Sequence, residues 1–168
     1  TAVHISYIYP TRAISEGGTP ITVFGHGFDA ASASAGYLAC RIRGVYIPAT
    51  FNSSSMISCV TPRSIPGLAA ISVTNNGRDF VSPNSSDSFT LQIVTVRLTD
   101  LSPYLGPAAG STVVTVVGHE FQVGQLGCRF GESSNAPATR LSAFRVVCRT
   151  PSSPTTGFVN LHLTSYGR

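Results

Sequence analysis

Apolar residues along the chain recur at every second position in short runs, and each run is bounded by Gly, Pro, Ser or Asn. That period is the mark of strands with one face buried, whereas a helix spaces its apolar residues three and four apart. In the first half the pattern predicts strands near 3–9, 20–24, 37–43, 46–51, 56–60, 69–75 and 88–94. Leu38, Cys40 and Ile42 share one face of such a run, and Ile71 and Val73 share a face of another, as two sheets packed face to face require. The second half repeats the pattern with Leu126, Cys128 and Phe130, then Phe144, Val146 and Cys148, then Leu161 and Leu163. No long amphipathic helix is predicted. The expected fold class is all-β.

The phrase ITVFGHGF at 21–28 returns as VTVVGHEF at 114–121. The same register pairs Pro10 with Pro103, Thr22 with Thr115 and Phe28 with Phe121; further on, Cys40 answers Cys128, Cys59 answers Cys148, and Gly77-Arg78 answers Gly167-Arg168. Small drifts of register between fixed strands are what insertions and deletions in loops produce. Seven short strands in the first copy, echoed in the second, predict two tandem immunoglobulin-like β-sandwiches, one over 1–93 and one over 94–168. The second copy has no counterpart of 79–92, so it is expected to be incomplete at its C-terminal end, without its last strand. Thr1 to Ile5 align with Val94 to Leu98, so the chain reads as a window on a repeating series. The missing strand would then come from the next segment or from another copy. Between Ser88 and Pro103 there is no Gly and no Ser-rich spacer, which predicts a stiff junction.

These residues resemble the IPT/TIG family, immunoglobulin-like modules shared by plexins, related receptors and some transcription factors. The resemblance rests on YPTRAISEGGTPITVFGHGF, Cys40, CVTP, ISVTNNGRDF and SFTL in the first copy. In the second it rests on SPYLGPAAGSTVVTVVGHEF, Cys128, CRTP and LHLTSYGR. It implies a fold and leaves the function open, since such modules occur in adhesive ectodomains, DNA-binding factors and accessory parts of secreted enzymes.

Four cysteines fall two per copy, Cys40 and Cys59, Cys128 and Cys148. Four allow three pairings, and the repeat favours the one within each copy. Two disulfides imply an oxidising, extracellular or cell-surface location; four reduced buried thiols are the alternative. Asn52-Ser53-Ser54 and Asn84-Ser85-Ser86 are acceptor sequons for N-linked glycans, and the segments SPNSSDS and TPSSPTT have the composition of O-glycan regions. Covalent glycans are therefore expected at Asn52 and Asn84.

Chemistry is sparse. His26 and His119 each follow a Gly at a strand end and are read as corner markers, because HEFQV lacks the second histidine of a zinc peptidase motif. No Cys-x-x-Cys pair, Asp-rich calcium loop or Gly-x-Ser-x-Gly elbow occurs. No catalytic residue, metal site or cofactor is predicted, and the chain is not expected to be an enzyme. All eleven basic residues are Arg, spread from Arg12 to Arg168, and a net charge of +4 dispersed in this way argues against nucleic acid as a partner. No apolar run is long enough to span a membrane, so no membrane contact is expected within this segment. The expected partner is the chain itself, as head-to-tail copies or adjacent repeats, in a non-catalytic structural fibre. The alternative is a receptor or adhesin ectodomain that binds a protein or acidic glycan, with Arg41, Arg43 and Arg129 as candidate contacts.

Overall fold

The computed structural model describes residues 2–82, 90–121, 124–133 and 135–166. The chain divides into two compact units, Thr1–Val94 and Thr95–Arg168. In the first, β1 (His4–Tyr9), β2 (Arg12–Ile14) and β3 (Pro20–His26) precede a short helix, α1 (Ala30–Ser34). Six strands follow: β4 (Ala39–Ile42), β5 (Val45–Pro48), β6 (Thr50–Ser53), β7 (Met56–Val60), β8 (Gly67–Thr74) and β9 (Thr90–Val94). They form two facing sheets, one in the order β1-β3-β7-β6 and the other β2-β9-β8-β4-β5.

Alternation decides which side chains meet between the sheets. Ile21 and Val23 of β3, Ile57 and Cys59 of β7, Ile71 and Val73 of β8, and Leu91 and Ile93 of β9 are all buried in one cluster. Each fully buried aliphatic side chain of this kind stabilises the fold by about 1.5–3 kcal/mol relative to exposure. The Cys40–Cys59 disulfide joins β4 to β7 and so ties one sheet to the other, with a Cα separation of 6.4 Å.

The run expected as one strand over 46–51 is two strands. Val45–Pro48 pairs with β4 in one sheet and Thr50–Ser53 pairs with β7 in the other, so the chain changes sheets at Ala49. The helix is a further difference. Asp29 caps it by accepting from the Ser32 hydroxyl and the Ser32 backbone N–H. Those two hydrogen bonds, the hydroxyl first, hold the Asp29 carboxyl below its usual range.

In the second unit the strands are β10 (Arg97–Ser102), β11 (Val113–His119), β12 (Leu126–Phe130), β13 (Ala136–Pro137), β14 (Thr139–Ser142), β15 (Arg145–Arg149) and β16 (Leu161–Ser165). The sheet β10-β11-β15-β14 matches β1-β3-β7-β6 strand for strand, and the facing sheet is β13-β12-β16. The Cys128–Cys148 disulfide joins β12 to β15 across the two sheets, with a Cα separation of 6.2 Å.

The glycines of the repeated phrase act by close approach. Gly25 lies opposite Ile5 where β1 carries a bulge, and a Cβ there would fall on the carbonyl oxygen of His4. Gly118 meets the carbonyl oxygen of Arg97 in the same way, opposite Leu98. The turn itself is made two residues on, by Gly27 at φ 83° and by Glu120 at φ 67°. Phe28 and Phe121 then return to the interior, where both are buried. Gly25→Ala is expected to pry β1 from β3 and cost the first unit roughly 2 kcal/mol, measured as a lower urea midpoint of its unfolding transition.

Candidate functional site

In the first unit β9 lies between β2, to which it is parallel, and β8, to which it is antiparallel. Ala13 stands beside Ile93, and Ala69 beside Leu91. Leu91 and Ile93 are 0% and 2% exposed, which seals one side of the sandwich.

The second unit has both flanks of this arrangement. Residues 105–107 correspond to β2, and 157–160 correspond to the first half of β8, the half that pairs with β9. Neither stretch is a strand here, and β16 begins only at Leu161. Gly106 and Pro107 stand where Ala13 and Ile14 form β2, and such residues disfavour a strand. Val159 is 61% exposed, whereas its counterpart Ala69 is 2% exposed. Leu105 is 74% exposed and Tyr104 is 82% exposed.

Between these flanks lies an open cleft of 780 Å³, lined among others by Tyr104, Leu105, Val114, Phe130, Phe158 and Leu161. Its lining mixes aliphatic and aromatic side chains with Ser, Thr, Pro and Gly residues, and at its margin the Asn160 carbonyl oxygen accepts from the Gly131 backbone N–H.

The single residues proposed from the sequence are distributed differently. Arg41 places its guanidinium 4.1 Å from the centre of the Phe80 ring, and Phe80 in turn meets Tyr46 edge-on. Arg43, at φ 48°, donates through Nη2 to the carbonyl oxygen of Leu68. Arg129 is exposed on β12 beside His162 of β16. Arg41 and Arg43 thus brace the β4–β5 and β4–β8 margins of the first unit. Asn52 is exposed on β6, next to the turn at Ser54 and Ser55, and Asn84 lies outside the described residues. His26 stacks on His4 at 4.8 Å and His119 meets Phe144 edge-on, each at the end of its strand. Among the described residues no group of three or more His, Cys, Asp or Glu side chains is placed to hold a metal ion.

Comparison with known proteins agrees with this architecture. Over 164 residues the chain is 30% identical to mouse fibrocystin-L, covering 95% of this chain and 4% of that protein. Over 152 residues it is 28% identical to human plexin-A3, covering 88% of this chain and 8% of that protein. Among solved structures, the full extracellular region of plexin A4 superimposes with a TM-score of 0.75 at 22% identity, over 98% of this chain and 14% of the other. The chain therefore spans a small part of the length of these relatives. The IPT/TIG domain model matches residues 4–93 and again 97–167, so the chain belongs to the IPT/TIG family as two domains in tandem.

Proposed function

We propose that this chain is a non-catalytic pair of modules from an extracellular tandem-repeat protein, linked in series with further modules into a surface fibre. In this reading the cleft of the second unit is the joint. A strand from the next segment, or from another copy, enters it parallel to 105–107 and antiparallel to 157–160, in the position β9 holds in the first unit. The observation that carries the reading is the exposed Val159, set against its counterpart Ala69, which is buried beside β9 in the first unit. The two inter-sheet disulfides support an oxidising, extracellular setting.

A synthetic peptide with the sequence of residues 88–96 tests the joint. The chain is expected to bind it saturably in a calorimetric titration, and a peptide carrying Leu91→Asp and Ile93→Asp is expected not to bind. Equal binding of both peptides, or of neither, would reject strand completion.

The second reading is a receptor-type ectodomain, favoured by the likeness to plexin extracellular regions. Arg129, exposed on β12, is its best-placed contact. Arg129→Ala that abolished capture of a ligand while leaving the peptide titration unchanged would support this reading over the first.

A further inference from the structure

The outward face of the β1-β3-β7-β6 sheet carries a row of side chains with one purpose still unassigned. Tyr7 of β1 pairs with Phe24 of β3, Phe24 with Met56 of β7, and Met56 with Ser53 of β6, so Asn52 stands at the end of the row. The rings of Tyr7 and Phe24 are stacked, 4.3 Å between centres and 12° between planes. Tyr7 therefore covers one face of Phe24, which is half-buried, with Met56 as its neighbour on the other side. Ser58 donates its hydroxyl to Asn52 Oδ1 at 2.9 Å, which fixes the amide oxygen and leaves Nδ2, the atom that carries an N-linked sugar, for solvent.

The second unit supplies the comparison. Its sheet has the same order and the same bulges, yet Asp100 replaces Tyr7, Val117 replaces Phe24, Arg145 replaces Met56 and Leu141 replaces Asn52. Val147 takes the place of Ser58, so the hydroxyl that orients the amide is gone as well. Sequon, orienting hydroxyl, thioether and stacked rings are present together in one unit and absent together in the other. A packing role in the sandwich would not link them, because all of these side chains point away from the core.

We propose that Asn52 is an N-glycosylation site whose first N-acetylglucosamine lies back over Met56 and brings its C–H face against the part of the Phe24 ring that stays exposed. The ring quadrupole, negative over the face, attracts those polarised hydrogens, and the sugar covers apolar surface that the sheet leaves in water. Asn52 and Phe24 are two strand spacings of about 4.8 Å apart, within reach of the first sugar and its acetamido group. The proposal shares with the fibre reading only the secretory setting, and it holds whether or not the cleft accepts a strand.

The test uses the whole chain secreted from an N-glycosylating cell, with the glycan trimmed enzymatically to one N-acetylglucosamine. Glycopeptide mass spectrometry is expected to find Asn52 occupied. The N-acetyl methyl proton is expected to show an upfield ring-current shift, and the first unit to melt roughly 4 °C above the Asn52→Gln variant. Phe24→Leu, which keeps the position apolar, is expected to abolish both effects. An unmodified Asn52 overturns the proposal, as does a sugar with an unshifted methyl signal and the same gain in melting temperature in the Phe24→Leu variant.

Discussion

A chain extended after Arg168 by a copy of residues 79–94 is expected to melt its second unit more than about 10 °C higher, with the first unit unchanged. The added stretch supplies counterparts of Leu91 and Ile93, each of which is buried in the first unit. Burying two such side chains contributes about 3–6 kcal/mol before the entropy of ordering the strand is subtracted. For a unit of this size each 1 kcal/mol shifts the midpoint by about 4–8 °C. The same extension with both aliphatic positions changed to Asp is expected to leave the midpoint where it was. Differential scanning calorimetry separates the two outcomes.

Reduction of the disulfides is expected to have the second-largest effect, and an unequal one. Each bridge closes a loop of similar size, with sequence separations of 19 and 20, so each removes about 3 kcal/mol of unfolded-chain entropy in the loop-closure account. The first unit has a closed core to fall back on. The second does not, because its sheet is open beside Val159 and Leu161. Cys128→Ala with Cys148→Ala is therefore expected to unfold the second unit at 37 °C, while Cys40→Ala with Cys59→Ala leaves the first folded at a lower midpoint. Amide exchange followed by mass spectrometry reads the two units separately, and equal loss of protection in both would contradict the difference assigned to the open core.

The sequence conveyed the strands that face inward with regular alternation, because burial on one face writes a period of two directly into the residues. It did not convey β2. Arg12–Ile14 is three residues long and is a strand only because β9, some eighty positions away, runs beside it. In the second unit the counterpart of β2 is Leu105-Gly106-Pro107 and forms no strand. The boundary between β5 and β6 was hidden for a related reason: alternation continues through Ala49 although the two halves join different sheets. The helix Ala30–Ser34 had a local signal in Asp29, a good capping residue before a run of Ala and Ser, and Gly36 just beyond it.

The candidate joint was half legible. Register between the copies located the gap at 79–92, and Gly106 and Pro107 marked 105–107 as a poor strand, whereas Phe158-Val159 has strand-compatible composition and gave no sign of lying outside one. The row on the outward sheet face was not legible at all. Tyr7, Phe24, Met56 and Asn52 are scattered over fifty positions, and only the pairing of four strands sets them side by side. Arg41 and Arg43 show the converse. Charge alone suggested free contacts, whereas the fold gives one an aromatic ring and the other a carbonyl oxygen.

The most direct measurement is hydrogen exchange at the backbone amides of 157–161, in the chain alone and with the 88–96 peptide bound. Strand completion predicts rapid exchange in the chain alone and strong protection in the complex, with the first unit's Gly67–Ala70 amides protected in both. Fast exchange at 157–161 in the complex, or protection already present in the chain alone, would contradict it.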